Sequence, residues 1–185
     1  MPKPPINQEN KIQLIQNFQE RSGLKTSRVK FIQLIGDLGS GCRRLAFSFL
    51  PAAKTVVWIS LRWNLYAPVL WKLAEDQKIQ LLGIELQEKK RFRRLCKELR
   101  DSQVFDAWIL DGLKLSEGEG FFLHQLLRPL SLKVLVLDSK PHSFCHERAH
   151  IHLSHQHYRI FWSKGGSPTP SYVPAVFPSE VLCLS

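Results

Sequence analysis

The chain has 185 residues, 44% of them hydrophobic, and 26 Lys+Arg against 16 Asp+Glu, a formal net charge of +10. This suits one globular domain with a real core, and the charge calls for an anionic partner: nucleic acid, an acidic protein surface or a membrane face. No apolar run approaches the about 18 residues of a membrane span, residues 1–10 lack the apolar centre of a signal peptide, and Cys42, Cys96, Cys145 and Cys183 form no C-x-x-C pair. The expectation is a cytoplasmic protein with reduced thiols and no disulfide framework.

Residues 1–8 hold three prolines and read as a flexible lead. In residues 9–21, Ile12, Ile15 and Phe18 fall near one helical face, the pattern of a short amphipathic helix. A polar linker, residues 22–27, separates this helix from the first apolar run. Such a helix either packs on its own domain or docks on a partner, because short isolated helices need packing to persist. The expected division is residues 1–27 as lead and helix, 28–177 as the main domain and 178–185 as a tail.

Residues 31–35, FIQLI, form an apolar run that stops at Gly36. A glycine-rich turn through Gly39, Ser40 and Gly41 comes next, and then a helix-like stretch, residues 42–50. Strand, tight glycine loop and helix make up the local architecture of a P-loop, and Gly36 and Gly41 have the spacing that G-x-x-x-x-G-K-[ST] requires. Cys42 stands where the lysine belongs and Arg43 where the Ser/Thr belongs. Backbone N–H groups of such a loop still attract anions at a helix N-terminus. The phosphates, however, lose their fixed counter-charge, and Arg43 has no lone pair to offer Mg²⁺. Two readings stay open: a P-loop that has kept its shape and lost its ATPase chemistry, and an ordinary strand–turn–helix junction.

Residues 55–60, TVVWIS, are apolar without alternation, as in a strand buried on both faces. Residues 65–75 have helical spacing with Pro68 near the first turn, and residues 79–86 are a third apolar run. Residues 88–101 form the clearest amphipathic helix, with Phe92, Leu95, Cys96 and Leu99 as its apolar stripe. Its other faces carry Lys89, Lys90, Arg91, Arg93, Arg94, Lys97 and Arg100, seven cations in twelve residues. This is either a solvated face or a surface for an anionic partner. Residues 105–111, FDAWILD, have the form of a Walker B strand, in which Asp111 would reach Mg²⁺. Residues 112–120 read as a loop, 121–130 as a helix, and 133–137 as a buried strand ending at Asp138. The alternation predicts βαβ units, a mainly parallel sheet and right-handed crossovers. Residues 149–153 and 158–162 alternate instead, as in an antiparallel pair at the sheet edge, and the tail has room for one short strand.

Six of the seven histidines fall in residues 142–157. They have no H-x-x-x-H or C-x-x-C frame for a metal, and read as surface histidines of edge strands. Trp58 and Trp108 lie in buried-strand patterns and belong to the core. Trp63 beside Arg62, and Trp162 before Lys164, are the better candidates for a binding surface, since ligands of open α/β sheets bind beyond strand C-termini.

Four stretches in order carry a family resemblance: residues 36–45 (GDLGSGCRRL), 57–70 (VWISLRWNLYAPVL), 104–111 (VFDAWILD) and 158–166 (YRIFWSKGG). Together they resemble the RecA-like family and, within it, the ImuA proteins of bacterial damage-inducible mutagenesis cassettes. The resemblance implies a RecA-like core, a mainly parallel sheet flanked by helices with antiparallel edge strands near the C-terminus. It places the family's catalytic glutamate near Leu61 and Arg62, neither of which can act as a base. With the lysine also absent, it implies no catalytic residue, no ATP hydrolysis and at most weak ATP binding. The implied role is a non-catalytic adaptor in translesion synthesis. Its partners would be the RecA recombinase, a Y-family-like polymerase homologue and an error-prone replicative-type polymerase, with DNA as a further one and no membrane. Ile12, Ile15 and Phe18 would dock one partner. Lys89, Lys90, Arg93, Arg94 and Lys97 would face DNA or an acidic partner. The alternatives are a residual nucleotide-binding ATPase and a SulA-like cell-division inhibitor.

Overall fold

A computed structural model describes residues 29–36, 41–50, 53–61, 67–154, 157–166 and 169–174. The expected N-terminal helix with Ile12, Ile15 and Phe18 lies outside them, as do Gly39, Ser40, Arg62 and Trp63.

The apolar runs form the strands they suggest: β1 (Lys30–Ile35), β2 (Thr55–Ser60), β3 (Gln80–Glu85), β4 (Ala107–Asp111) and β5 (Lys133–Leu137), succeeded by β6 (Glu147–Ser154), β7 (His157–Lys164) and β8 (Ser171–Pro174). They make one mixed sheet of eight strands in the order β3-β2-β4-β5-β1-β6-β7-β8. All neighbours from β3 to β6 pair parallel, while β7 is antiparallel to β6 and to β8. The alternating pair of the last third is thus β6–β7. It is not the edge, because β6 is bordered by β1 and β8 closes the sheet beyond β7.

Helices cover both faces. On one face lie α1 (Cys42–Leu45), continued by a 3-10 turn (Ala46–Phe49), and α2 (Ala67–Asp76). Leu45, Phe47, Leu50, Leu70 and Ala74 pack there on Ile32, Leu34, Val56, Trp58 and Ile109. On the other face lie α3 (Phe92–Ser102) and α4 (Glu117–Leu127), with Phe92, Cys96, Leu123 and Leu127 on Phe31, Val57, Ile59, Trp108 and Leu110. Burial on two faces is why the central strands do not alternate. Each such side chain contributes about 1.5–3 kcal/mol on leaving water.

Several boundaries differ from the sequence reading. Residues 42–50 are not one helix but a single α-turn running into a 3-10 turn. Lys89 and Lys90 precede α3 in a 3-10 turn (Lys89–Arg91). The loop expected over residues 112–120 ends early, because Ser116 and Glu119 form a reciprocal capping box that starts α4 at Glu117. The helix also stops short of residue 130, because Pro129 has no N–H with which to continue the ladder. Trp162 is half-buried: it packs against the first face's core and Phe49, with ring centroids 5.9 Å apart. Among the described residues no helix is long and apolar enough to cross a membrane.

Candidate functional site

β1 ends at Ile35, and the described chain resumes at Gly41, whose carbonyl accepts the Leu45 N–H at 2.9 Å and opens α1. Gly41 has φ 85°, and a Cβ there would collide with the Tyr158 ring of β7. Only glycine meets both demands without strain. The next residue, Cys42, is half-buried.

In the first turn of α1, Arg43 reaches across the sheet. Its Nε donates to Asp111 Oδ2 at 2.8 Å, and the Trp58 indole N–H donates to the same oxygen at 3.2 Å. Asp111 closes β4, in register with Ser60 at the end of β2, so β2 and β4 bring the indole and the carboxylate together. Asp111 is 6% exposed. A charge that deep needs a partner and hydrogen bonds, and Arg43 and Trp58 supply both.

The residues do not fit Mg-nucleotide. Such a site needs a hydroxyl at the position of Arg43 to ligate the metal and a lysine at the position of Cys42 to hold phosphate. Here one Asp111 oxygen already accepts from a guanidinium and an indole. The observed arrangement is a closed carboxylate that holds α1 against the sheet.

A second polar group sits at the C-terminal ends of β1 and β5. His142 Nε2 meets Asp138 Oδ2 at 3.0 Å. The fully buried Gln33 accepts from the His142 N–H at 2.9 Å and from Arg148 Nε at 3.3 Å, and Arg148 Nη2 donates to the His142 carbonyl at 2.8 Å. These bonds pin residues 138–146 to the sheet. His146 Nδ1 accepts the Phe31 N–H at 2.9 Å. Burial, with His124 and Lys164 nearby, holds the His146 pKa below its ordinary value, in keeping with a ring nitrogen that must stay unprotonated to accept. His142, 6% exposed, is therefore a structural rather than a surface histidine, a correction to the sequence reading, whereas His146 is exposed, as that reading expects, and uses its ring to hold the Phe31 N–H. His150, His152 and His157 do lie on strands, and His155 is outside the described residues. Among the described residues no group of His, Cys, Asp and Glu could hold a metal.

The basic segment is partly answered within the chain. Lys89 pairs with Glu119 at 3.0 Å, Lys90 with Glu88 at 3.1 Å and Arg94 with Glu98 at 2.9 Å, and Arg93 lies 5.2 Å from the Phe122 ring centroid. Lys97 is exposed. The Lys90 and Arg94 pairs are exposed and worth at most about 1 kcal/mol, so they give way readily to a stronger anionic ligand, whereas Glu119 of the Lys89 pair is largely buried. The basic segment lies on the α3/α4 face of the sheet, and Arg43–Asp111 on the α1/α2 face, so the two do not converge. The sequence reading missed the Trp58 contact to Asp111 and the Gln33 network. The only trace of either in sequence is a polar residue inside the apolar run of residues 31–35.

No model of a known protein family matches the chain, and no curated protein matches it.

Proposed function

We propose that the chain is a non-catalytic adaptor of RecA-like type that serves damage tolerance in the cytoplasm, bridging the RecA recombinase and an error-prone polymerase assembly with a Y-family-like member. The observation that carries the non-catalytic part is the Arg43–Asp111 bond. It puts a guanidinium of the chain's own on the carboxylate that a phosphoryl-transfer site reserves for Mg²⁺. A strand–glycine–helix junction at β1 and an aspartate ending the inner strand β4, one strand removed from β1, are the features that support the RecA-like reading. The bridging role rests on the sequence resemblance.

The test is direct binding between purified components. The chain is immobilised and RecA filaments, then the Y-family-like homologue, are passed over it with and without Mg-ATP. Saturable binding of both, with no ATP turnover by the chain alone, is the expected result. Absence of binding to either overturns the bridging role. Turnover that disappears in Asp111→Ala overturns the non-catalytic one and leaves the residual ATPase.

A further inference from the structure

The sheet is covered unevenly. Ala149, Ile151, Tyr158, Ile160 and Val173 turn into the core under α1. The intervening residues of β6, β7 and β8 turn the other way, beyond the reach of α4. They are His150 and His152 on β6, Arg159 and Phe161 on β7, and Tyr172 on β8. Register places His150 opposite Phe161, His152 opposite Arg159, and Arg159 opposite Tyr172.

These residues form a surface of rings and positive charge. Phe161 is stacked with His150 at 4.9 Å and with His152 at 5.3 Å between centroids, both at an interplanar angle of 4°. The result is a column of three parallel rings that ends in an exposed imidazole. Next to it stand exposed Arg159 and Tyr172, the latter 62% exposed. Across the three strands the one carboxylate is Glu147, which pairs with Lys30 at 2.6 Å.

We infer that the β6–β8 face binds single-stranded nucleic acid. Unpaired bases stack on aromatic rings whatever their identity, and the backbone requires cations beside the rings. A base extends the column from His152 or lies on Tyr172, and Arg159 meets the phosphate between them. Strands about 4.8 Å apart put Tyr172 and His152 on either side of Arg159, a span of about 10 Å that one or two nucleotides cross. An acidic peptide would satisfy the arginine but leave the rings without partners, so the ring column favours nucleic acid. The inference stands on this face alone and does not need the adaptor reading.

The test uses the purified full chain with a fluorescent oligothymidylate of about 15 nucleotides, close to the upper site size of single-strand binders, read by anisotropy at about 50 mM and about 200 mM salt. The expected result is saturable binding that weakens with salt and exceeds binding to a duplex of equal length. Tyr172→Ala should weaken it about tenfold and Tyr172→Phe should restore it. Arg159→Ala should weaken it and reduce the salt slope by about one. Both side chains are exposed, so both variants should keep the native circular dichroism spectrum. No binding by the wild-type chain at the lower salt overturns the inference, as does equal affinity for polyglutamate. Binding untouched by Tyr172→Ala and Arg159→Ala but lost in Arg93→Glu/Arg94→Glu also overturns it, by moving the nucleic acid to α3. Because RecA and polymerase are absent from the assay, its failure leaves the adaptor reading standing.

Discussion

Arg43 and Asp111 lie 68 residues apart in the chain and 2.8 Å apart in space, and their pairing is open to direct test. Arg43→Ala leaves a buried carboxylate held by the Trp58 indole. The loss should be about 1–2 kcal/mol, less than for a fully buried pair because the arginine side chain is about one-third exposed. Urea unfolding measures it, and a wild-type midpoint would mean the pair is idle. The double variant Cys42→Lys/Arg43→Ser frees Asp111 and returns both P-loop side chains. It should acquire a thermal shift with Mg-ATP beyond that of the parent, and none would mean the loop has lost its shape as well as its charges. Gly41→Ala should cost about 1–3 kcal/mol in the same unfolding experiment, from its left-handed φ and the displaced Tyr158 ring.

At the scale of elements, the start of α4 carries a pH signature. Burial acts to raise the Glu119 pKa, but the Ser116 N–H and hydroxyl and the Lys89 ammonium outweigh it and leave the value below that of a free carboxyl. A lowered folded value means stability that is present above the unfolded pKa and is lost as pH falls through the folded one. Glu119→Gln should therefore be less stable than the parent at neutral pH, with the gap closing in acid, below the carboxylate range, in a urea-unfolding series. A constant gap would assign the effect to packing. Burial pushes the Cys145 thiol up to about 12 and raises Cys96 further still. Both should resist alkylation in the native protein and react on unfolding, as read by peptide mass mapping. Most elements were legible in the sequence at this scale. β2 and β5 fall where apolar runs place them, because a strand buried on both faces must be apolar throughout. The start of α4 was equally written, as S-x-x-E over residues 116–119, but the glycines at 118 and 120 resemble a loop and mask it. The 3-10 turn after α1 was not legible, since its apolar spacing matches a continuous helix.

For the whole molecule, the distribution of charge decides what the +10 chain can bind. The basic segment leading into α3 is opposed by Glu88, Glu98 and Glu119, whereas β6–β8 hold one carboxylate, Glu147, already paired with Lys30. Charge reversal at Arg93 and Arg94 should abolish capture of an acidic partner while preserving the circular dichroism spectrum. Unchanged capture would remove that segment from the interface. A mainly parallel sheet flanked by helices was written into the order of residues, because strand and helix periods are local properties of apolar spacing. So was the loss of a lysine and a hydroxyl from the glycine turn. The strand order, the insertion of β1 between β5 and β6, and the arginine that closes on Asp111 emerge only on folding. Folding likewise turns His142 inward and leaves His152 and Tyr172 exposed on the side of β6–β8 turned away from α1. Those outcomes depend on contacts between residues far apart in the chain, whose partners no local pattern specifies.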